Sequence, residues 1–582
     1  MYKGQCSLFQ EENMKAKKKL IGILLVIVVV VLSLGVLTAC GETPGETSKN
    51  KKAVVICTAL LSGGLYDTKT NEAIWDPVAE GVYFQQVFPG GDMMGLVMAV
   101  LTDKTTYDLI GGIMKYKDES VKNLLWQITL DEQGKSNNPN LRPANVRPTT
   151  ADGTFKSTLY NDSGEVVDGY GAYTAGEKIQ YGAIATYRQQ CLDLKARYEK
   201  QGWDVVVFNY DWRIDNRINS ELLEQFIQTN GWEEVILTSH SMGGPVVAGY
   251  IARLQNKWLD AEAEAQKNHT TQTAVKKPSD IIRAYRAFSP ATAGSLDAIY
   301  YLDDPIGAIA DVVNGTVGDT LGGVVLGVDA ISEGIKKLAG PLAQNLTSVM
   351  QLLPFQTFAD SDYYGENESP VYVDGVPVKD MYEWYCSRPW AHTSDWKPGV
   401  DGIYDKLKPG MKNLPAYWDS FYVKESVFSK EANVYAPELV NTTYCLGVGY
   451  NTKKSVQIVT KDTDTVKVNK VTYEMWDTKN HKYDTPLTSI EYYSYDHKAI
   501  LFGDGDGTMP TNACLGGLNY NGDKTISNTK GRAIYPANKQ ITNICYYNTN
   551  HGTVGGYWDV LKWDFYEMMD KIIVEDEINP FF

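Results

Sequence analysis

The β-branched stretch Glu234-Val235-Ile236-Leu237-Thr238 runs straight into Ser239-His240-Ser241-Met242-Gly243-Gly244, and then into Pro245-Val246-Val247-Ala248-Gly249-Tyr250-Ile251-Ala252-Arg253-Leu254, apolar at helical spacing. Buried strand, tight turn and helix in that order impose an α/β architecture here and form the context of a nucleophile elbow. The turn bends sharply at Ser241, so its hydroxyl stands clear of the backbone. Small residues at 239 and 243 let strand and helix pass closely. The Met242 N–H then points at the helix N-terminus, where an oxyanion can be held. A small-x-Ser-x-Gly pattern alone arises by chance roughly once in a chain of this length. The flanking strand and helix, more than the pattern, mark Ser241 as a nucleophile; Ser239 stands where a glycine is usual.

A serine nucleophile on such a sheet needs an acid and then a base further along the chain. The six histidines are His240, His269, His392, His481, His497 and His551. Gly503-Asp504-Gly505-Asp506-Gly507-Thr508 follows the strand-like Ala499-Ile500-Leu501-Phe502, so its carboxylates sit at a strand's C-terminal end, where ligands collect in open sheets. Of the histidines, only His551 lies beyond it, in the loop-like Asn548-Thr549-Asn550-His551-Gly552. Its alternative is a surface loop histidine. Asp504 and Asp506 compete for the acid. Asp-x-Asp between glycines is also a fragment of a calcium loop, but the twelfth position from Asp504 is Leu515 rather than Glu. A plain turn is the remaining alternative. No metal and no cofactor is expected.

Further segments carry a resemblance. Val54-Val55-Ile56-Cys57 with Leu60-Leu61-Ser62-Gly63-Gly64, Tyr210-Asp211-Trp212-Arg213 after the strand at 204–208, the Ser241 segment, Phe288-Ser289-Pro290-Ala291-Thr292-Ala293-Gly294-Ser295, Leu352-Leu353-Pro354, Tyr444-Cys445-Leu446-Gly447-Val448-Gly449-Tyr450 and Gly505-Asp506-Gly507-Thr508 lie across residues 53–560. With these segments the chain resembles the lecithin:cholesterol acyltransferase and lysosomal phospholipase family of α/β-hydrolases. The resemblance implies an α/β-hydrolase fold, a doubly wound, mostly parallel sheet with an inserted cap. It assigns Ser241 as nucleophile, Asp506 as acid and His551 as base, with the Leu61 and Met242 N–H groups as oxyanion donors. It implies a serine hydrolase or O-acyltransferase acting on lipid acyl esters through an acyl-serine. A carboxylesterase or triacylglycerol lipase with the same triad is the alternative, and a non-enzymatic surface lipoprotein on a hydrolase scaffold the third reading. Two departures stand out. The family's oxyanion loop usually begins Pro-Gly, where this chain has Thr58-Ala59. Its animal members carry a disulfide-tied lid, and here no cysteine lies between Cys57 and Cys191.

Met14-Lys15-Ala16-Lys17-Lys18-Lys19 is a basic start, residues 20–39 are uncharged, and Leu37-Thr38-Ala39-Cys40 ends the run. This reads as a bacterial lipoprotein signal that leaves Cys40 lipidated, with 41–52 as a flexible tether and Met14 as the start. An uncleaved transmembrane anchor is the alternative. Both put the remainder outside the cytoplasm at a bacterial membrane. Net charge is −16, and residues 1–39 hold five Lys and two Glu, so the rest carries −19. That excludes nucleic acid as a partner and leaves membrane contact to the anchor and apolar residues. No two cysteines form a C-x-x-C pair, and Cys57 and Cys445 in strand-like runs read as buried thiols.

The expected layout is a signal at 1–40, a tether at 41–52, a hydrolase core at 53–295 with an insertion at 66–180, a cap at 296–440, and the rest of the core at 441–582. Within this layout, 499–502 closes the central sheet, and alternation over 456–475 predicts a surface hairpin. A structural subdomain is the bland reading of 296–440.

Overall fold

The β-branched runs become the strands of the computed structural model, which describes residues 51–67, 69, 72–75, 123, 126–143, 185–303, 305, 340–361, 364, 367–430, 434–458, 472–477, 482–488, 492–494, 498–515, 527–529, 532–537, 542–554 and 560–575. The chain divides into two units, Met1–Gly45 and Glu46–Phe582, and every described residue belongs to the second. The signal, Cys40, most of the tether, much of the insertion at 66–180, and 306–339 of the cap lie outside the described residues.

Ten strands organise the site: β1 (Lys52–Cys57), β2 (Trp203–Phe208), β3 (Glu234–His240), β4 (Ile282–Phe288), β5 (Thr442–Val448), β6 (Tyr450–Ile458), β7 (Lys498–Gly505), β8 (Ser527–Thr529), β9 (Arg532–Ala537) and β10 (Thr542–Asn548). The central sheet runs β8-β9-β10-β5-β4-β3-β1-β2. Its six strands from β10 to β2 are parallel, and β8 and β9 add an antiparallel edge. The principal helices are α1 (Ala185–Tyr198), α2 (Asn216–Thr229), α3 (Gly243–Lys267), α4 (Leu296–Asp303), α5 (His551–Val554) and α6 (Val560–Ile573).

Side-chain alternation along β1 assigns the two faces. Ala53, Val55 and Cys57 share a core with Leu222 and Phe226 of α2 and Val247 and Ile251 of α3. Val54 and Ile56 share the opposite core with Cys191 and Leu194 of α1 and Phe565 and Met569 of α6. A parallel sheet covered on both faces explains why these strands read as unbroken apolar runs. Each fully buried aliphatic side chain contributes about 1.5–3 kcal/mol relative to exposure. The fold is therefore a mixed α/β architecture around a six-stranded parallel sheet.

Two expectations change. The strand at 499–502 does not close the central sheet. It is part of β7, which pairs antiparallel with β6 in a separate five-stranded sheet. The predicted hairpin over 456–475 is likewise redistributed: 456–458 end β6 and pair with β7 and, in parallel, with Val371–Val373. Residues 466–468 lie outside the described residues. Alternation specifies a strand and its faces, whereas the partner is chosen by tertiary contacts that local pattern does not encode.

The described part of 340–440 is a set of short helices around aromatic side chains. Phe355 packs on Trp418 at 5.5 Å and on Phe421 at 5.9 Å between ring centres. These rings belong to the same core as α2 and α3. The Gln255 amide of α3 donates to the Lys424 and Glu425 carbonyls at 2.8 and 3.0 Å. Among the described residues, no helix is long and apolar enough to cross a membrane. Nor does any group of three or more His, Cys, Asp or Glu among them form a site for a metal ion.

Candidate active site

The chain passes from β1 outward to β2, then returns past β1 to β3. Connections leave β1 and β3 toward opposite sides, which opens a crevice beyond their carboxyl ends, the usual binding position in doubly wound sheets. Ser241 follows β3, and Thr58–Gly64 follows β1.

Ser241 has φ +52°, in the left-handed region. A non-glycine residue there costs about 1–3 kcal/mol and persists only where its surroundings hold it. The Ser241 N–H donates to the Phe288 carbonyl at 3.2 Å, and its own carbonyl accepts from Gly244 and Ala291 N–H at 2.9 Å each. Gly243 permits the close approach behind it: a Cβ there would lie 2.7 Å from the Thr58 carbonyl oxygen and 2.8 Å from that of Cys57. The start of α3 thus abuts the end of β1. Met242 is fully buried.

The loop after β1 is pinned by three ring donors. The Tyr210 hydroxyl donates to Thr58 O at 2.7 Å, the Trp75 indole to Leu61 O at 2.8 Å and the Trp212 indole to Gly63 O at 3.1 Å. Between Tyr210 and Trp212, Asp211 accepts two 2.8 Å bonds from the Arg213 guanidinium, both side chains buried. With its carbonyls held in this way, the loop turns at Leu61, whose φ is +63°. Among the described residues, no acceptor meets the N–H of Leu61 or of Met242.

Asp506 and His551 meet at the end of β5. Gly449, at φ +87°, turns the chain from β5 into β6, and β7 returns so that Asp506 bridges to Tyr450. Gly447 is wedged between the two loops: a Cβ there would lie 2.6 Å from both the Asp506 Cβ and the Thr549 carbonyl oxygen. Asp506 Oδ1 accepts from the Thr508 and Met509 N–H groups at 3.0 and 2.7 Å. Its Oδ2 lies 2.7 Å from His551 Nδ1. The His551 N–H donates to the Asp506 carbonyl at 2.8 Å, so backbone and side chain both join the pair. His551 was expected in a loop and instead opens the single turn α5.

The Asp506 side chain is fully sealed from solvent, while His551 keeps 15% of its side chain exposed. Burial pushes the Asp506 carboxyl up, but the His551 charge and hydrogen bond and the Met509 and Thr508 N–H groups outweigh it and leave Asp506 below the ordinary carboxylate value. Burial pushes His551 down, but the Asp506 charge and hydrogen bond, with Asp297 of α4, leave it above the ordinary imidazole value. With Asp506 ionised, Nδ1 carries the proton toward it and the Nε2 lone pair is left as acceptor. Asp297 itself pairs with Lys453 of β6 at 2.5 Å.

The His551 ring lies against the His240 ring, 4.7 Å between centres, and His240 immediately precedes Ser241. The structure therefore brings Asp506 and His551 together beside the Ser241 turn. Asp504 sits two residues back within β7, opposite Asn451. His392 is bonded through both ring nitrogens, to Asp405 O at 2.8 Å and Cys386 O at 2.7 Å. His481 and His497 lie outside the described residues. Cys57, Cys191, Cys386, Cys445, Cys514 and Cys545 are all buried free thiols.

Sequence reasoning missed Asp297, the Trp75 brace and the placement of His240 against His551. The run Tyr210-Asp211-Trp212-Arg213 was visible as a motif, and its polar and aromatic residues directly after a strand were the available signal. Trp75 gave none.

No family model matches the chain, and no curated protein matches it. Among solved structures it is similar to the crystal structure of the Tle4–Tli4 complex, at 13% identity over 80% of this chain and 86% of that chain, with a TM-score of 0.33.

Proposed function

We propose that the chain is a serine hydrolase or O-acyltransferase of lipid acyl esters on an α/β-hydrolase fold, with Ser241 as nucleophile, His551 as base and Asp506 as its orienting acid. The observation that carries this reading is the Asp506–His551 pair, held at 2.7 Å and seated against the residue that precedes the strained Ser241. His551 Nε2 takes the serine proton as the hydroxyl attacks the ester carbonyl, and Asp506 stabilises the imidazolium. The Leu61 and Met242 N–H groups are the oxyanion donors, in keeping with their lack of other acceptors. Imidazolium then protonates the leaving alcohol, and water or an alcohol takes the acyl group from Ser241 by the reverse sequence.

The lipid substrate class and the address rest on the sequence. The basic start, the uncharged run at 20–39 and Leu37-Thr38-Ala39-Cys40 make Cys40 the proposed lipidation site, on the outer side of a bacterial membrane. Purified protein should react with a fluorophosphonate and release fatty acid from phospholipid vesicles. Ser241→Ala should abolish labelling and lower kcat by about 10³-fold or more while the fold persists. Labelling without vesicle turnover, together with cleavage of soluble p-nitrophenyl esters, would move the substrate class to small carboxylesters. Wild-type protein inert to the fluorophosphonate would remove Ser241 chemistry altogether.

A further inference from the structure

Tyr187 and His240 are buried at the back of the site, and the steps above use neither. Tyr187, on α1, is 2% exposed and His240 is 6% exposed. The Tyr187 hydroxyl lies 2.6 Å from His240 Nδ1. The Ala59 main chain and the Ser62 side chain, in the loop after β1, both favour ionisation of the phenol, but burial outweighs them and keeps it protonated. Burial, then the nearby His551 charge, push His240 down to about 3, with Asp506 opposing. Both partners are therefore neutral. The phenol donates, Nδ1 accepts, and the imidazole proton sits on Nε2.

We propose that Tyr187 and His240 form one positioning unit behind the base that holds the His551 ring in register with Ser241. The inference rests on the serine-hydrolase reading. Asp506 fixes one edge of the His551 imidazole and leaves rotation about the Nδ1···Oδ2 axis open. The His240 ring, 4.7 Å away and tilted by 40°, is the wall against that rotation. Its Nε2 has no hydrogen-bond partner among the described residues, and the His551 main chain favours the protonated ring without offsetting its burial. A cation at this position would depress the base, whereas a ring held neutral by burial backs it without doing so. The groups facing the two histidines are Asp506 from the acid loop, Asp297 of α4 with its partner Lys453 of β6, and Tyr187 of α1. A base displaced by about 1 Å loses on the order of 10²-fold in rate, so a positioning unit has a measurable kinetic effect.

The test is a double-mutant cycle on the full chain with Tyr187→Phe and His240→Phe. Each should lower kcat by about tenfold or more with KM within about twofold, since ground-state binding is untouched. The double variant should be no worse than the poorer single, because members of one unit share one loss. A merely structural role moves the melting temperature and gives additive kinetic losses, which would overturn the proposal. Wild-type protein labelled with ¹⁵N-histidine gives a readout that needs no variant. His240 should keep the Nε2–H tautomer from about pH 5 to pH 9 while His551 titrates. A His240 that titrates in that range overturns the unit. Wild type that reacts with a fluorophosphonate but gives additive losses removes the positioning unit alone, whereas unreactive wild type removes the hydrolase reading and the positioning role with it, even where His240 keeps the predicted tautomer.

Discussion

Asp506 accepts three bonds through two oxygens, one from His551 and two from backbone N–H groups, in a position sealed from water. Its folded pKa is lowered, so its stabilisation is present above the ordinary value of 3.8 and is lost as pH falls through the folded value. His551 is raised, so its stabilisation is complete below the ordinary value of 6.5 and is lost as pH rises through the folded value. The pair is thus firmest as an ion pair between those two ordinary values. The proposed reaction needs the neutral imidazole, so the acid limb of kcat/KM in wild type should lie above 6.5. Asp506→Asn removes the charge that holds the proton on His551. Its limb should move to lower pH and its plateau fall by on the order of 10⁴-fold. Asp504→Asn should leave both unchanged. The reverse ranking, read from pH–rate profiles of the two variants, would move the acid to Asp504.

At the scale of elements, the strands β1 to β5 and the turn after β3 were legible because a strand covered on both faces must be continuously apolar, and Val54-Val55-Ile56 and Val235-Ile236-Leu237 are. The helix after Ser241 was legible in place but not in extent: the apolar spacing ends near Leu254, while α3 runs on to Lys267 through a polar, outward-facing half. The sheet to which the strand before Asp506 belongs was not legible, because the unbroken apolar run Ala499-Ile500-Leu501-Phe502 suits either partner. One of the contacts by which the second sheet delivers Asp506 to the central one is the close approach at Gly447. Gly447→Ala would drive a methyl group to 2.6 Å from Asp506 Cβ and from the Thr549 carbonyl, moving the acid and base loops apart. The expected result is a loss of about 10²-fold in kcat, the scale of a 1 Å misplacement, measured beside the control Gly340→Ala, whose new methyl meets only the Gln344 side chain at 3.7 Å. Equal activity of the two variants would show that the loops do not depend on that contact. Tyr210→Phe tests the opposite loop. Leaving the buried Thr58 carbonyl without its donor should cost about 1–3 kcal/mol in denaturant unfolding and lower kcat, because the turn at Leu61 is no longer held from behind.

For the whole molecule the governing quantity is charge. Beyond residue 39 the chain carries −19, so an anionic bilayer repels it, and the proposed lipid on Cys40 is what would keep a lipid-cleaving site beside its substrate. Tethering raises effective concentration without tightening active-site binding, so its loss should appear on vesicles and not on soluble esters. A chain beginning at Lys51 keeps β1 and the whole central sheet, and should retain full turnover of short p-nitrophenyl esters. On anionic vesicles at low salt its rate should fall well below that of the full chain carrying the proposed lipid. Raising ionic strength to about 0.1 M shortens the screening length to about 10 Å and should restore part of that rate, because repulsion rather than a missing contact limits the encounter. Cys40→Ala should prevent lipidation and leave the chain held through its uncharged segment at 20–39 or not held at all, which mass spectrometry of the membrane fraction distinguishes. If the Lys51 form cleaves anionic vesicles at low salt as fast as the full chain carrying the proposed lipid, apolar residues of the folded part supply membrane contact on their own, and the anchor serves address rather than catalysis.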